Sequence, residues 1–341
     1  MFQLTDLKKP VLGLSPMDGV TDAPFRYMAA KYSKPDMTFT EFTHVMGMCM
    51  AGDNVLHHFL YDENERPVFG QIFGKEPEYF YHAAKIICEL GFDGVDINMG
   101  CPAKSVATSG SGAGLIRTPD LAREIIAAVR EGVKHWVENG ELTGLKERSY
   151  NAVKAKSNYG LTRELKSVSV KTRIGYDHPI TEEWIKNIDR AKPDWITIHG
   201  RTLKQMYTGQ ADWNEIKKGV EATSLPVLAN GDIKTKEDFD KILELTGAYG
   251  ALIGRAAYGN PWIFEELRGN KVEHSKDERV KTLIEHTEKF MEIFPDPRIF
   301  VMLRKHFGWY LTGFEGASEL RSKLMQTRNI EEVRAAFAKS E

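Results

Sequence analysis

Short apolar runs rich in β-branched residues alternate along the chain with longer segments whose apolar positions recur at threes and fours. The runs read as strands: VLGLSPM (11–17), TFTEFT (38–43), PVFGQIF (67–73), GVDINMG (94–100), SVSVKTR (167–173), DWITIHG (194–200), PVLANGD (226–232) and GALIGRA (250–256). Between them, EPEYFYHAAKIICEL (76–90) sets Tyr79, Ala83, Ile86, Ile87 and Leu90 on one helical stripe, and TPDLAREIIAAVREGV (118–133) reads the same way. Thr118-Pro119 and Thr235 ahead of Glu237 are helix-start signals. Apolar strands alternating with helices predict a parallel sheet covered on both faces. Eight such units in about 250 residues suit an α/β fold of the (β/α)8 TIM-barrel type. A doubly wound open sheet is the competing architecture and calls for a glycine-rich first βα turn. SPMDGVTD (15–22) has no G-x-G-x-x-G, which favours the barrel.

Two segments break the alternation. Residues 134–166 are polar and too long for the connection into the fifth strand; they are expected to form a surface insertion with a structural or partner role. Beyond about residue 265 strand signals stop. Val280, Leu283, Thr287, Phe290 and Phe294 keep helical spacing, as do Ile299, Met302, Leu303, His306, Phe307 and Tyr310, then Leu320, Leu324, Val333 and Phe337. The expected organisation is a barrel domain over 1–265 and a small all-helical domain over 266–341, separated by the polar stretch RGNKVEHSKD (268–277).

Composition narrows this little further. A net charge of −2 gives no global basic field, so any nucleic-acid surface must be local. No run reaches the roughly 18 apolar residues of a membrane span, and MFQLTDLKKP has no signal-like apolar core, so a cytoplasmic location without membrane association is expected. Three scattered cysteines, Cys49, Cys88 and Cys101, argue against a disulfide framework. No ligand spacing suggests a metal site; His57 and His58 point about 100° apart on a helix.

Barrel enzymes keep their chemistry at the C-terminal ends of the strands. Nearly every predicted strand here ends on an unusual polar residue: Asp18, Glu41, Gln71, Asn98 with Cys101, Lys171 with Arg173, His199 with Arg201, Asn230 with Asp232, and Arg255. Any one of these is readily a satisfied rim group; the convergence of eight strand ends is the signal. ANGD (229–232) and IGRA (253–256) follow strands seven and eight, where Gly231 and Gly254 admit a phosphate to backbone N–H groups and Arg255 adds donors. A phosphate beside Gln71, Lys171 and His199 suits a flat phosphorylated cofactor such as FMN, with Gln71 on its pyrimidine edge and Lys171 stabilising negative charge. A phosphosugar aldolase or isomerase could use a similar layout.

The ordered blocks SPMDGVTDAPFR (15–26), GQIFG (70–74), DGVDINMGCPAKSV (93–106), VKTRIG (170–175), TIHGRT (197–202), ANGDI (229–233) and IGRAAYGNPW (253–262) closely resemble the tRNA-dihydrouridine synthase family. The resemblance implies an FMN enzyme that saturates the 5,6 double bond of a tRNA uridine with NADPH as reductant, and whose barrel precedes a helical RNA-binding domain. Carried over by position, it implies flavin contacts at Ser15, Pro16, Met17, Gln71, Lys171 and His199. The phosphate contacts implied are Asn230, Gly231, Asp232, Gly254 and Arg255. Cys101 matches the family's proton donor, and a neutral thiol suits that role because its reference pKa of about 8.5 keeps it protonated near neutrality. Asn98, Arg173 and Arg201 are candidate substrate contacts, with Asn98 and Arg173 placed to orient the uracil carbonyls. In the tail, Lys281, Arg298, Arg304, Lys305, Arg321, Lys323 and Arg328 are candidates for gripping tRNA, against the alternative of solvated helix faces. ATSGSGAG (107–114) stands where many relatives carry basic residues, which weakens one expected RNA contact and leaves Cys101 untouched.

Two other readings compete. A dihydroorotate or dihydropyrimidine dehydrogenase is also an FMN barrel with a Ser or Cys acid–base, but it leaves the helical tail unexplained. A non-catalytic tRNA-binding protein that kept a barrel predicts no bound flavin. The choice of uridine in the D-loop, the preference between NADPH and NADH, the oligomeric state and any protein partner are not encoded in readable motifs.

Overall fold

A computed structural model of the chain describes residues 1–158, 160, 163–270 and 273–338. Nine parallel strands form its sheet: β1 Val11–Leu14, β2 Thr38–Phe39, β3 Thr43–His44, β4 Val68–Phe73, β5 Gly94–Met99, β6 Ser167–Arg173, β7 Trp195–His199, β8 Val227–Asn230 and β9 Gly250–Ile253. The order β1-β9-β8-β7-β6-β5-β4-β2 closes into a ring, because Asp36 N–H donates to Leu12 O (2.8 Å) and Leu14 N–H to Met37 O (2.9 Å). This is the expected TIM barrel, with one local difference. The run 38–43 is broken into β2 and β3, because Thr40 turns its hydroxyl to Glu41 O (2.9 Å) and accepts Gln71 N–H (3.0 Å). A side chain thereby replaces the ladder for one step.

The helices are α1 Ala23–Ser33, α2 Val45–Met50, α3 Pro77–Glu89, α4 Lys104–Thr108, α5 Pro119–Asn139, α6 Glu147–Ala155 and α7 Thr181–Asp189. They continue as α8 Trp213–Glu221, α9 Lys236–Thr246, α10 Ile263–Leu267, α11 Lys276–Ile293, α12 Arg304–Tyr310, α13 Ala317–Leu324 and α14 Ile330–Ala338. Pro119 opens α5, yet Thr118 does not cap it through its side chain. Thr235 does cap α9, in a reciprocal box whose partner is Asp238 rather than Glu237.

The apolar residues form three cores. The largest lies between the strands and the surrounding helices and extends through Leu267, two residues past the expected domain boundary. A second fills the barrel's interior with Phe39, Phe69, Trp195, Leu228 and Leu252. Phe2 and Leu4 plug its lower end, with the Phe2 ring 5.3 Å from that of Phe69. Above this plug the inward positions turn polar. The third core belongs to the tail, where Leu283, Phe290, Leu303, Phe307, Leu324 and Val333 meet; Met302, expected on that stripe, is 53% exposed.

The described residues of the segment 134–166 pack against the outer helices. Residues 134–139 complete α5, which Gly140 ends in the left-handed region (φ 68°). α6 then lies on the flank of α2: Lys146 N–H donates to Cys49 O (3.0 Å) and Gly52 N–H to Ser149 Oγ (2.9 Å). The buried carboxylate of Glu89 ties this segment to α3, accepting from Trp136 Nε1 (2.8 Å), Lys154 Nζ (2.6 Å) and Ser157 Oγ (2.8 Å). Tyr159, Leu161 and Thr162 of the expected insertion lie outside the described residues, as do Lys271 and Val272 of the polar connector.

The tail docks on α1 and on the last barrel turn. Phe25 meets the rings of His286 and His306, Tyr32 OH donates to Glu285 (2.8 Å), and Trp309 stacks on Tyr258 at 4.1 Å. Gly259 makes that approach possible, since a Cβ there would stand 2.2 Å from the Trp309 backbone. Among the tail cations, Arg304 and Arg321 are spent on internal carbonyls, Thr327 O (2.8 and 3.0 Å) and Leu311 O (2.6 Å). Arg298 and Lys323 pair with Asp296 and Glu319. Lys281 and Arg328 lie on exposed surface, and Lys305 reaches back to the first βα turn beside Gly19.

Candidate active site

Successive side chains of a strand point to opposite faces, so alternate residues of every barrel strand point inward. That alternation places Gln71 of β4, Asn98 of β5, Lys171 and Arg173 of β6, His199 of β7 and Asn230 of β8 around one opening at the strands' C-terminal ends. The opening is a cavity of 390 Å³. Ser15, Pro16, Met17, Asp18, Cys101, Arg201, Gly231, Asp232, Gly254 and Arg255 complete the wall from the turns that follow the strands. Every predicted site residue lines this cavity. Glu41 alone of the polar strand ends does not; it is buried beside His58 (3.3 Å).

Several of these side chains are held by the protein itself. Arg173 donates to Gly100 O (2.7 Å), Thr202 O (2.9 Å) and Met206 O (3.0 Å), fastening the cysteine turn to the loop after β7. Arg201, 1% exposed, donates to Gly209 O (2.7 Å), Thr208 O (3.2 Å) and the Asp232 carboxylate (2.5 Å). Both guanidiniums therefore act first on backbone and carboxylate partners, which limits what they offer a ligand. The Asp232 carboxylate also takes Ala211 N–H (2.7 Å) and Arg255 (2.8 Å). Burial pushes Asp232 upward, and these donors outweigh it, holding the carboxyl below its usual range.

Lys171 is different. Its ammonium lines the cavity and has no hydrogen bond or ion pair with any described residue; burial and the neighbouring Arg173 charge lower its pKa to about 8. It is a cation awaiting an acceptor. His199 lies well below its ordinary pKa through burial and through Arg173, Lys171, Arg201 and Arg255 around it, so the ring is neutral. Its Nε2 faces Arg201 Nη1 at 3.2 Å; a guanidinium only donates, so Nε2 accepts and the ring proton sits on Nδ1.

Cys101 ends the turn after β5. Asn98 Oδ1 accepts both Gly100 N–H (3.0 Å) and Cys101 N–H (2.8 Å), which latches the turn, and the residue is 9% exposed. Burial raises the thiol pKa, against a lowering contribution from Ala103 N–H, so the sulfur is protonated at neutral pH. Cys49 and Cys88 are buried, away from the cavity, and burial pushes each up to about 12.

At the far end of the cavity Gly231 has φ 121°, a region L side chains avoid, and a Cβ there would stand 2.9 Å from the His199 ring. Asp232 follows at φ 57°. Beside Gly254 a Cβ would meet nothing closer than Met17 Sδ at 3.5 Å. Two side-chain-free turns flanked by Arg255, which is 48% exposed, form a cradle with the donors and room for an anionic group.

Sequence reasoning missed three contributors. Asp96, fully buried below Asn98, was detectable as a lone carboxylate between Val95 and Ile97 in an apolar strand. Met206 and Tyr207, 45% and 58% exposed, overhang the cavity from the loop after β7, with Tyr207 6.0 Å from the guanidinium carbons of both Arg173 and Arg255. Two large apolar residues inside the polar run TLKQMYTGQ were their only signal.

A family model described as dihydrouridine synthase matches residues 13–155 and 147–340. A "Probable tRNA-dihydrouridine synthase" from Staphylococcus aureus (strain COL) is 34% identical over 341 residues, covering 97% of this chain and 93% of the relative. A "Probable tRNA-dihydrouridine synthase 2" from Bacillus subtilis (strain 168) is 35% identical over 339 residues, covering 97% and 94%. Among solved structures, a DHODH from Eimeria tenella in complex with ferulenol aligns with a TM-score of 0.41 at 17% identity, over 60% of this chain and 58% of that one. That likeness is too slight to argue from.

Proposed function

The chain belongs to the dihydrouridine synthase family, and from that premise we propose that it is a tRNA-dihydrouridine synthase. It reduces the C5=C6 bond of a D-loop uridine, with FMN as its flavin and NADPH as reductant. The observation that carries the reading is that one cavity holds both a half-buried ammonium with no partner among the described residues, Lys171, and a protonated thiol, Cys101.

The residues present fit the flavin. Gly231, Gly254 and Arg255 offer the phosphate a cradle, with Asn230 and the backbone of Asp232 beside it, since the Asp232 carboxylate is already taken by two arginines. Ser15, Pro16 and Met17 line the cavity and would wall one side of the ring system, with neutral His199 and whatever donor capacity Gln71 keeps beyond Asp96 and Asn98 toward its polar edge. When bound, FMN would supply the hydride that adds to C6 of the uracil. Lys171 supplies the positive charge that favours the electron-rich form of that chemistry. Cys101 delivers the proton to C5, leaving a thiolate that solvent reprotonates. Asn98 sets the cysteine turn, and Arg173 and Arg201 hold the loop that forms the cavity's outer wall, against which the uracil would sit.

The uridine must leave its stack to enter a cavity this deep, so the protein has to hold tRNA outside the barrel while one base is inside. The helical tail beside the first βα turn is the grip in this reading, with Lys281, Lys305 and Arg328 as its available cations. No helix among the described residues is long and apolar enough to cross a membrane; a cytoplasmic site of action suits a tRNA substrate.

The purified protein is expected to carry flavin absorption bands and, with NADPH, to form dihydrouridine in unmodified tRNA, measured by mass spectrometry after digestion. Turnover of free dihydroorotate with no new dihydrouridine would sink the assignment, and a colourless protein would favour a non-catalytic binder. Gly231→Ala should weaken FMN affinity by about tenfold, through a φ that costs an L residue roughly 1–3 kcal/mol and a Cβ against His199. Fluorescence titration of the apoprotein measures it, and wild-type affinity would remove Gly231 from the cradle.

A further inference from the structure

The proposed chemistry leaves one buried carboxylate without a task. Asp96 sits in mid-β5, two residues before Asn98 on the same inward face, with Gln71 and Ser169 in register on the flanking strands. Ser169 Oγ donates to Asp96 Oδ1 (2.6 Å) and Gln71 Nε2 donates to Asp96 Oδ2 (2.6 Å). Asn98 Nδ2 then donates to Gln71 Oε1 (3.0 Å), and Asn98 Oδ1 accepts the N–H groups of Gly100 and Cys101.

These bonds run in one direction. An ionised carboxylate has nothing to donate, so it admits only the Gln71 orientation that presents Nε2 to it. That orientation turns the Gln71 carbonyl to Asn98, which must answer with its own NH2. The Asn98 carbonyl is thereby left facing the turn. Reversing either amide would set N–H against N–H in a buried site, at the cost of unmade hydrogen bonds. We propose that Asp96 is a positioning residue for Cys101: its charge anchors the buried end of an amide relay whose other end latches the thiol-bearing turn in place. The inference rests on Cys101 being the proton donor, and it gives the Asp a reason that an isosteric Asn would not satisfy. Asparagine can still accept from Gln71 Nε2, because the Gly100 and Cys101 N–H groups hold Asn98, and through it Gln71, in the same orientation; what it removes is the charge that strengthens that bond and anchors the far end of the relay. Burial lifts the Asp96 carboxyl to about 6, against the Gln71 and Ser169 bonds and the Lys171 charge, which leaves it ionised at neutral pH.

Asp96→Asn tests this in the protein as purified, with Ser169→Ala as the matched change that removes a bond to the same carboxylate on the side away from Gln71. Alkylation of Cys101 by iodoacetamide is followed by mass spectrometry of its peptide from neutral to alkaline pH. The limiting alkaline rate should rise at least about fivefold in Asp96→Asn, the scale of one lost hydrogen bond, and less than about twofold in Ser169→Ala. Equal rates in all three proteins, or equal rises in both variants, would overturn the proposal. In single-turnover oxidation of the reduced enzyme by tRNA, Asp96→Asn should be about tenfold slower with little change in KM, as for a mispositioned general acid. An unchanged rate there also counts against it. If the wild type turns over no tRNA, the functional reading fails on this arm alone and alkylation still decides the relay. Should Asp96→Asn not fold, Gln71→Met cuts the next link, and absence of the same rise in alkylation refutes the relay.

Discussion

Cys101→Ala is expected to lower uridine reduction by roughly 10²–10⁴-fold, the usual range for a lost general acid. FMN content and reduction of the flavin by NADPH should stay near wild type. The split follows from where the sulfur stands: it lines the cavity from the turn after β5, while the cradle of Gly231, Gly254 and Arg255 lies across the barrel after β8 and β9. Stopped-flow kinetics of the two half-reactions separates them. Because burial raises the thiol pKa above its ordinary value, the acid is fully protonated through neutrality. The uridine half-reaction should therefore be flat in that range and decline only as pH rises through the raised pKa. Cys101→Ser, whose hydroxyl is a far weaker acid, should recover little. Turnover on tRNA equal to wild type in the alanine variant would remove Cys101 from the mechanism.

Lys171→Met is expected to weaken FMN binding by about 10–100-fold, the worth of one charge-assisted hydrogen bond of roughly 1.5–3 kcal/mol. It should also slow reduction of whatever flavin remains bound. The side chain is half-buried in the cavity wall and has no protein partner among the described residues, so its charge is compensated only when an acceptor enters the cavity. Burial and Arg173 depress the pKa to about 8, so the ammonium is present below that pH and is lost as pH rises through it. Affinity of the wild-type apoprotein for FMN should accordingly fall above about pH 8, whereas the methionine variant should show no such step. A bound electron-rich acceptor favours the charged form, which moves the loss to higher pH in the loaded enzyme. Equilibrium titrations across that range test both points; parallel pH profiles in the two proteins would clear Lys171 of the role.

Much of the site could be read along the chain. The polar residues at strand ends stand out because their neighbours are apolar and the barrel's alternation is strictly two, so a residue such as Gln71 or Lys171 must face inward once its strand is recognised. The glycines of ANGD and IGRA mark close backbone approach for the same local reason. Other features had no local signature. Arg173 and Arg201 look like ligand-binding forks in VKTRIG and TIHGRT, yet their donors end on carbonyls of the loop at 202–209 and on Asp232. Arg304 and Arg321 resemble RNA-gripping cations and instead close the tail's own loops. An arginine's partners depend on where distant backbone passes, which no spacing records.

The parallel barrel, the helical tail and the ring of polar strand ends around one opening are all written in the order of residues along the chain. Each of these follows from periodicity, which is local: alternate residues share a face whatever the remainder of the chain does. Tertiary structure alone decided which of those polar groups remain available. Closure of β1 against the segment ahead of β2 brings eight strand ends together, and the contacts across them then divide the ring. Asp96, Gln71 and Asn98 satisfy one another, Arg201 and Asp232 do likewise, and the Lys171 ammonium is left without a partner among the described residues. Beside it stands the latched thiol of Cys101. A buried polar group must find a partner, and only the folded chain reveals which one still lacks it.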